Sequence, residues 1–162
     1  MRTLRIPAKS AVGATGIAVL GVFSAAGAAA APSIQDFGTG EQLNDGALVT
    51  TYIVDNLQPS ATAIPGFTPH GQLYQADVTA RADSGTITPI VADFNARSAD
   101  GQNYRVIDTV PTPDGINPSP LGQGAESSGK IYFDVVGPPP NSVVYNDGVE
   151  DVMIWANPTR PS

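Results

Sequence analysis

The first residue in this chain that could do chemistry is its single histidine, His70. A Ser or Thr hydroxyl cleaves esters or amides when an imidazole takes its proton and a carboxylate orients that imidazole. The chain has many hydroxyls and 15 acidic residues, so composition leaves such a site open. However, His70 follows Thr68-Pro69 in a loop segment, without a G-x-S-x-G or similar nucleophile motif. An ordinary loop histidine is the favoured interpretation.

The densest acidic cluster, Asn146–Asp151, could in principle bind calcium, which needs only oxygen ligands. The cluster lacks the D-x-D-x-D-G spacing and the distal Glu of an EF-hand loop. A solvated hairpin turn explains it better, and a calcium-stabilised adhesion domain is kept as a third reading. One histidine and no cysteine exclude His-rich and thiolate metal sites. We therefore assign no metal, no cofactor and no catalytic residue.

Paired carboxylates of the kind that hydrolyse glycosidic bonds leave no sequence signature here. Any two of the 15 acids could form such a pair, and the sequence favours none of them. An exported hydrolase acting on envelope carbohydrate or ester substrates, through His70 or a carboxylate pair, is therefore the alternative function. A non-catalytic binding module is the favoured one.

The elements that must position these residues are predicted to be strands. Apolar residues fall in short runs between Gly and Pro, without long helical periodicity, which indicates an all-β domain. Ile131, Phe133 and Val135 alternate with Lys130, Tyr132 and Asp134, as in a strand with one buried face and one solvated face. The predicted strands are Leu48–Leu57, Gln72–Ala82, Ile87–Ala96, Tyr104–Thr109, Lys130–Val136, Ser142–Tyr145 and Val149–Trp155, with a weaker one over Ile34–Gln42.

The turn residues agree with this prediction. Asp147-Gly148 and Asp100-Gly101 separate β-rich runs and are strong hairpin signals, because both residue types tolerate positive φ. Residues 100–106 also resemble a tyrosine corner around Tyr104, although a plain hairpin accounts for them equally well. Pro89 interrupts its run, which predicts an edge strand or a bulge there. About seven or eight strands at this spacing predict an antiparallel β-sandwich.

Two irregular segments are the candidate contact surfaces. Residues 59–71 and 110–129 are rich in Pro and Gly, and loops of such length in compact domains are often functional. With them, Phe67 and Tyr145 are predicted as possible contacts. Trp155, the only tryptophan, is expected to anchor the core or its rim.

Residues 1–30 have the pattern of a secretory signal peptide. Arg2, Arg5 and Lys9 precede an apolar run, and Ala28 and Ala30 supply a small-residue site, predicting cleavage between Ala30 and Ala31. The run is too short for a membrane-spanning helix, which needs about 20 residues. We expect residues 31–162 to form a single exported domain with no membrane anchor.

The predicted mature chain is strongly acidic. Five basic residues remain against 15 acidic ones, for a net charge of −10. Such a surface repels phosphates, which excludes nucleic acid as an expected partner. The same charge favours a soluble monomer. Because the chain has no cysteine, core packing and backbone hydrogen bonds must hold the fold without a disulfide.

Several segments, read together, resemble one known family. They are Ala63–Phe67, Phe94–Val106, Ser128–Val135 and Asn146–Trp155. In this order they look like the small secreted mycobacterial immunogenic antigens called immunoprotective extracellular proteins. The similarity spans most of residues 61–155 and fades in 31–57 and 107–124.

The resemblance implies an immunoglobulin-like antiparallel sandwich, export, an actinobacterial source and recognition by a host immune system. It brings no catalytic residues that could be mapped onto this chain. The expected function is therefore an exported binding module that contacts a host or cell-envelope protein or glycan through residues 59–71 and 110–129.

Overall fold

The computed structural model describes residues 30–157, and these form two β-sheets packed face to face. The strands are β1 (Ser33–Asp36), β2 (Gly40–Asp45), β3 (Leu48–Pro59), β4 (Gln72–Ser84), β5 (Phe94–Ser98), β6 (Asn103–Arg105), β7 (Glu126–Val135), β8 (Pro140–Asn146) and β9 (Asp151–Ala156). Sheet I has the order β1-β9-β8-β5-β6, and sheet II has the order β2-β3-β4-β7. The predicted immunoglobulin-like sandwich is confirmed, with nine strands rather than seven or eight.

The core lies between the sheets and is built around aromatic side chains. The ring centroid of Phe94 lies 5.4 Å from that of Tyr52, 5.2 Å from that of Tyr145 and 6.3 Å from that of Trp155. Aromatic pairs at these separations contribute about 0.5–1.5 kcal/mol beyond the burial of their area. The Trp155 indole is fully buried and its Nε1 donates to the carbonyl of Thr39 at 2.9 Å. Trp155 is therefore a core anchor.

The weak strand predicted over Ile34–Gln42 is in fact two strands in different sheets. β1 pairs with β9 in sheet I, whereas β2 pairs with β3 in sheet II. The chain crosses between the sheets at Gly38, whose φ of +84° suits glycine far better than a residue with a side chain. The β1–β9 pair is parallel, the one exception to antiparallel pairing among the described strands.

The strand predicted over Ile87–Ala96 is wrong in its first half. Ile87 makes only an isolated bridge to Leu121, and Val91–Asp93 form a short 3-10 helix before β5 begins at Phe94. Pro89 explains the difference, because proline has no N–H to donate and its ring fixes the backbone. The segment bulges outward and leaves Ile90 half exposed.

The chain after β6 closes one side of the sandwich. The strand predicted over Tyr104–Thr109 ends at Arg105, because Val106 donates its N–H to Phe94 of sheet I while Ile107 donates to Tyr132 of sheet II. The crossing covers β7, which would otherwise be an open edge. Within the described residues, no helix is long and apolar enough to cross a membrane.

The remaining strand and turn predictions are refined rather than overturned. β7 begins at Glu126, so the irregular segment predicted over residues 110–129 is shorter by four residues. The Asp-Gly hairpins join β5 to β6 and β8 to β9, with φ of +91° at Gly101 and +90° at Gly148. The Tyr104 hydroxyl donates to the carbonyl of Pro138, far along the chain, so residues 100–106 are a plain hairpin and not a tyrosine corner.

Candidate functional site

The two irregular segments meet on the outer face of sheet II. Ile64 of the first and Ile107 at the entrance to the second pack with Leu73 and Tyr132, which point outward from β4 and β7. We call these four buried residues the loop cluster. Phe67 and Val110 pack against it and are partly exposed. The sandwich thus has a small second hydrophobic cluster outside the main core, where the irregular segments pack onto sheet II. Tyr132 is buried in it, so its predicted place on a solvated face is wrong.

An open cleft of about 740 Å³ lies beside the loop cluster. Its walls are the bulge at residues 90–92 and the segment at residues 107–118. Ile107 and Ile116 are buried in it, whereas Ile90 is 50% exposed at its rim. The lining residues are Ile90, Val91, Ala92, Ile107, Asp108, Thr109, Val110, Pro111, Thr112, Gly115, Ile116, Asn117 and Pro118. A cleft of this size and apolar character is typical of ligand and peptide sites.

The main core holds the wall at residues 90–92. The backbone N–H of Ile90 donates to the Tyr52 hydroxyl at 3.4 Å. The Tyr145 hydroxyl lies near Tyr52 and near Asp93 at the end of the 3-10 helix, and burial raises the pKa of both tyrosines. Two neutral hydroxyls therefore support this wall from inside the sandwich. Tyr145 itself is buried, so its predicted role as a surface contact is wrong.

The opposite wall is held along β7. Ile116 donates its N–H to the carbonyl of Lys130, and Lys130 donates back to the carbonyl of Asp114. The Tyr132 hydroxyl donates to the carbonyl of Pro113 at 3.0 Å. A Cβ at Gly129 would lie 2.3 Å from the backbone nitrogen of Ile116, so only glycine permits this close approach. The proline-rich segment is thereby held in place although it has no regular secondary structure.

His70 has a carboxylate neighbour and no nucleophile. Its Nδ1 lies 3.2 Å from Oδ2 of Asp134, and the side chain is 84% exposed. Within residues 30–157, no Ser or Thr hydroxyl makes a hydrogen bond with the ring. Asp134 instead accepts the backbone N–H groups of His70 and Gly71, both at 2.9 Å. The pair fastens a loop to β7 and does not form a catalytic triad.

Two carboxylates, Asp77 and Asp114, line a polar recess of about 460 Å³. Asp77 is bound to Lys130 Nζ at 2.7 Å and to the Asn56 amide at 2.8 Å. Burial acts to raise the pKa of Asp77, but these two hydrogen bonds outweigh it and lower the pKa. A general acid in glycoside hydrolysis needs a raised pKa, so the recess does not fit that chemistry.

The acidic cluster at residues 146–151 is a hairpin whose carboxylates serve the backbone and a neighbouring arginine. Asp147 accepts the N–H groups of Val149 and Glu150, and these bonds lower its pKa. Asp151 accepts both guanidinium nitrogens of Arg97, at 2.7 and 3.1 Å. No group of three or more His or acidic residues within the described part of the chain could hold a metal ion. The solvated-hairpin interpretation fits this geometry.

The structure brings together both segments that the sequence marks as candidate contacts, and it adds one wall that sequence reasoning missed. Ile90 and Val91 were assigned to a strand, and the signal that could have found them was Pro89 directly before them. Phe67 lies at the loop cluster as a partly exposed ring, and its role as a contact stays a prediction.

Comparison with known proteins identifies relatives over nearly the whole chain. The model of a family described as a domain of unknown function, DUF1942, matches residues 32–155. Immunogenic protein MPB63 of Mycobacterium bovis and immunogenic protein MPT63 of Mycobacterium tuberculosis are each 42% identical over 150 residues, covering 91% of this chain and 94% of the relative.

A solved structure supports the fold. The crystal structure of MPT63, a secreted protein from Mycobacterium tuberculosis, superposes with a TM-score of 0.76 at 42% identity. The superposition covers 79% of this chain and 99% of that one. The resemblance drawn from the sequence segments is therefore confirmed.

Proposed function

Because this chain belongs to the DUF1942 family, whose curated relatives are named immunogenic proteins, we propose that it is an exported, non-catalytic binding module. Its contact surface is the loop cluster together with the adjacent cleft. Its partner is a protein or glycan of a host or of the cell envelope. The observation that carries this proposal is that both irregular segments meet at the loop cluster, and that an open apolar cleft walled by residues 90–92 and 107–118 lies beside it.

The rigid walls of the cleft and the residues that line it favour binding over catalysis. Its walls are fixed by hydrogen bonds to Tyr52 and along β7, so little ordering entropy would be lost when a partner docks. Asp108 is the only titratable residue among the lining residues, and neither histidine nor a basic residue is found there. The hydrolase alternatives need a histidine or a second carboxylate beside the first group, and the lining residues include neither.

Export in this proposal depends on the pattern of residues 1–30, which lies outside the described residues except for Ala30. A related protein is described as secreted, which is consistent with the leader. Expression of the whole chain in an actinobacterial host should release a protein into the medium whose first residue is Ala31. A cell-retained protein that begins at Met1 would contradict the export step.

The binding proposal is tested by capture with matched variants. The exported chain is immobilised and exposed to cell-envelope extracts and to host-cell surface proteins. Ile90→Ser should reduce capture, because it removes an exposed aliphatic side chain at the cleft and retains the backbone N–H that Tyr52 accepts. Val149→Ser is the matched control, since Val149 is 90% exposed on the β8–β9 hairpin and does not line the cleft. Equal capture by all three proteins would overturn the assignment of this surface.

A further inference from the structure

The described residues carry a large excess of uncompensated negative charge. They contain fifteen acidic side chains and four basic ones. Three of these basic residues are already bound in ion pairs: Arg81 with Asp83, Arg97 with Asp151, and Lys130 with Asp77. Within the described part of the chain, Arg105 is thus the one Lys or Arg without an ion pair. The field around the molecule attracts cations and repels anions at long range.

The cleft shares this charge at its rim. The exposed Asp108 carboxylate lines it and accepts no hydrogen bond from any other described residue. Asp93 and Asp114 are next to lining residues in sequence but lie elsewhere: the Asp93 carboxylate is beside the Tyr145 hydroxyl, and Asp114 lines the separate recess that holds Lys130. The cleft therefore combines aliphatic walls with one exposed carboxylate, that of Asp108, in a molecule with a large negative net charge.

We propose that the cleft binds a cationic amphipathic peptide segment, which places aliphatic side chains between the walls and a Lys or Arg side chain against Asp108. This inference rests on the proposed function and names the class of partner for the same surface. Charge complementarity selects the occupant: a fatty acid or an anionic lipid would fill the apolar space but would bring a negative group to Asp108. A glycan without charge would gain nothing from the negative field of the molecule or from the Asp108 carboxylate.

The two halves of the ligand have different roles in this proposal. The negative field of the protein raises the association rate of a cationic peptide. Salt weakens this field, because the screening length is about 10 Å at 0.1 M ionic strength and shorter at higher salt. The aliphatic contacts with Ile90, Val91 and Ile116 hold the bound segment, because apolar area removed from water stabilises the complex at about 25 cal/mol per Å². Affinity should therefore require both properties in one peptide.

The test measures fluorescence anisotropy with labelled model peptides and the exported chain. The probe is a leucine–lysine amphipathic peptide, compared with a leucine–glutamate peptide of the same pattern, a serine–lysine peptide without an apolar face, and dodecanoate as a competitor. We expect binding of the leucine–lysine peptide only, and about tenfold weaker binding on raising the salt from about 0.1 to 0.5 M. Equal or tighter binding of the anionic peptide or of dodecanoate would overturn the charge assignment.

Two variants of cleft residues test whether the peptide binds in the cleft. Ile90→Ser should weaken binding of the leucine–lysine peptide about tenfold, and Asp108→Asn about fivefold. The matched controls, Val149→Ser and Asp45→Asn, change exposed residues on other hairpins and should leave the affinity unchanged.

The outcomes separate this inference from the proposed function. A leucine–lysine peptide that binds all variants alike would be held by diffuse charge, and the inference would fail. If no model peptide binds, while Ile90→Ser still abolishes capture from envelope or host extracts, the inference fails and the binding module stands. If that variant changes neither measurement, both fail.

Discussion

The inter-sheet core and the loop cluster are both hydrophobic, but they are built by different means. The core draws its side chains from strands of both sheets, and Trp155, Tyr52 and Phe94 at its centre are excluded from water. The loop cluster packs two irregular segments onto one outer face and leaves Phe67 and Val110 partly exposed. The inter-sheet core is closed to a partner, whereas the loop cluster borders an open cleft. The core therefore accounts for most of the stability, and the proposed function assigns recognition to the other region.

The largest expected effect tests the first half of this comparison. Phe94→Ala should lower the free energy of unfolding by about 3–5 kcal/mol, because it leaves a cavity among Tyr52, Tyr145 and Trp155. Urea unfolding followed by Trp155 fluorescence measures the change. A loss below about 1 kcal/mol would mean that the sheets do not pack around this ring.

A smaller loss is expected in the loop cluster. Ile64→Ala should cost about 2 kcal/mol, the lower end for an Ile truncation, because the partly exposed neighbours can relax toward the space. Hydrogen exchange should speed up at the amides of Ser60 and Ile107, which donate to the carbonyls of Leu73 and Tyr132. Core amides should keep their protection. A uniform loss of protection would show that the two regions unfold as one unit.

The parts of the core that follow a regular local pattern could be predicted from the sequence. The alternation at residues 131–135 predicts which side chains of β7 face inward, and the Asp-Gly turns predict two hairpins, because both signals are local. The split of the first predicted strand into β1 and β2 was missed. It depends on a change of sheet at Gly38, which no local period records.

The candidate site was predictable only in part. Proline and glycine content predicts where irregular segments occur, and residues 59–71 and most of 110–129 are irregular as expected. That these segments meet over Tyr132, and that Ile90 faces residues 107–118, are contacts between distant positions. Such contacts are set by the packing of the whole sandwich, so a single sequence does not show them.

Among the buried polar side chains of the described residues, one oxygen lacks a hydrogen-bond partner, and replacing its residue should stabilise the fold. Glu41 is 5% exposed, and its Oε1 has no hydrogen-bond partner among the described residues. Burial raises the pKa of this carboxyl, so the folded state prefers its neutral form. Glu41→Gln should therefore raise stability by about 1 kcal/mol at pH 7, where Glu41 is charged in the unfolded chain.

The sign of this effect gives it a characteristic pH dependence. Below the unfolded pKa near 4.5 Glu41 is neutral in both states, and the variant should match the parent protein. The gain should grow as the pH rises toward the raised pKa of the folded state. Glu126→Gln on the exposed start of β7 is the control and should change little. A destabilised Glu41→Gln protein at pH 7 would contradict the role given to burial.

The smallest effect concerns His70 in the loop region. His70→Ala should change the free energy of unfolding by less than about 0.5 kcal/mol, because the ring is exposed and the backbone N–H that Asp134 accepts remains. Asp134→Asn should cost about 1 kcal/mol, since the carboxylate accepts two backbone N–H groups.

The pH dependence separates these two variants. Burial acts to raise the pKa of Asp134, but the N–H groups of His70 and Gly71 outweigh it and lower the pKa. The stability that Asp134 contributes is therefore present above about pH 4 and is lost as the pH falls through the lowered value. Unfolding curves of both variants between neutral and acid pH measure this. A larger loss for His70→Ala than for Asp134→Asn would reverse the assignment.

The most direct test of the central claim is a nuclear magnetic resonance titration of the ¹⁵N-labelled exported chain with the leucine–lysine peptide. The account predicts saturable shifts of the amides at residues 90–92 and 107–118, with the inter-sheet core unmoved. Shifts concentrated on the acidic hairpin at residues 147–151, or spread evenly over the surface, would contradict it.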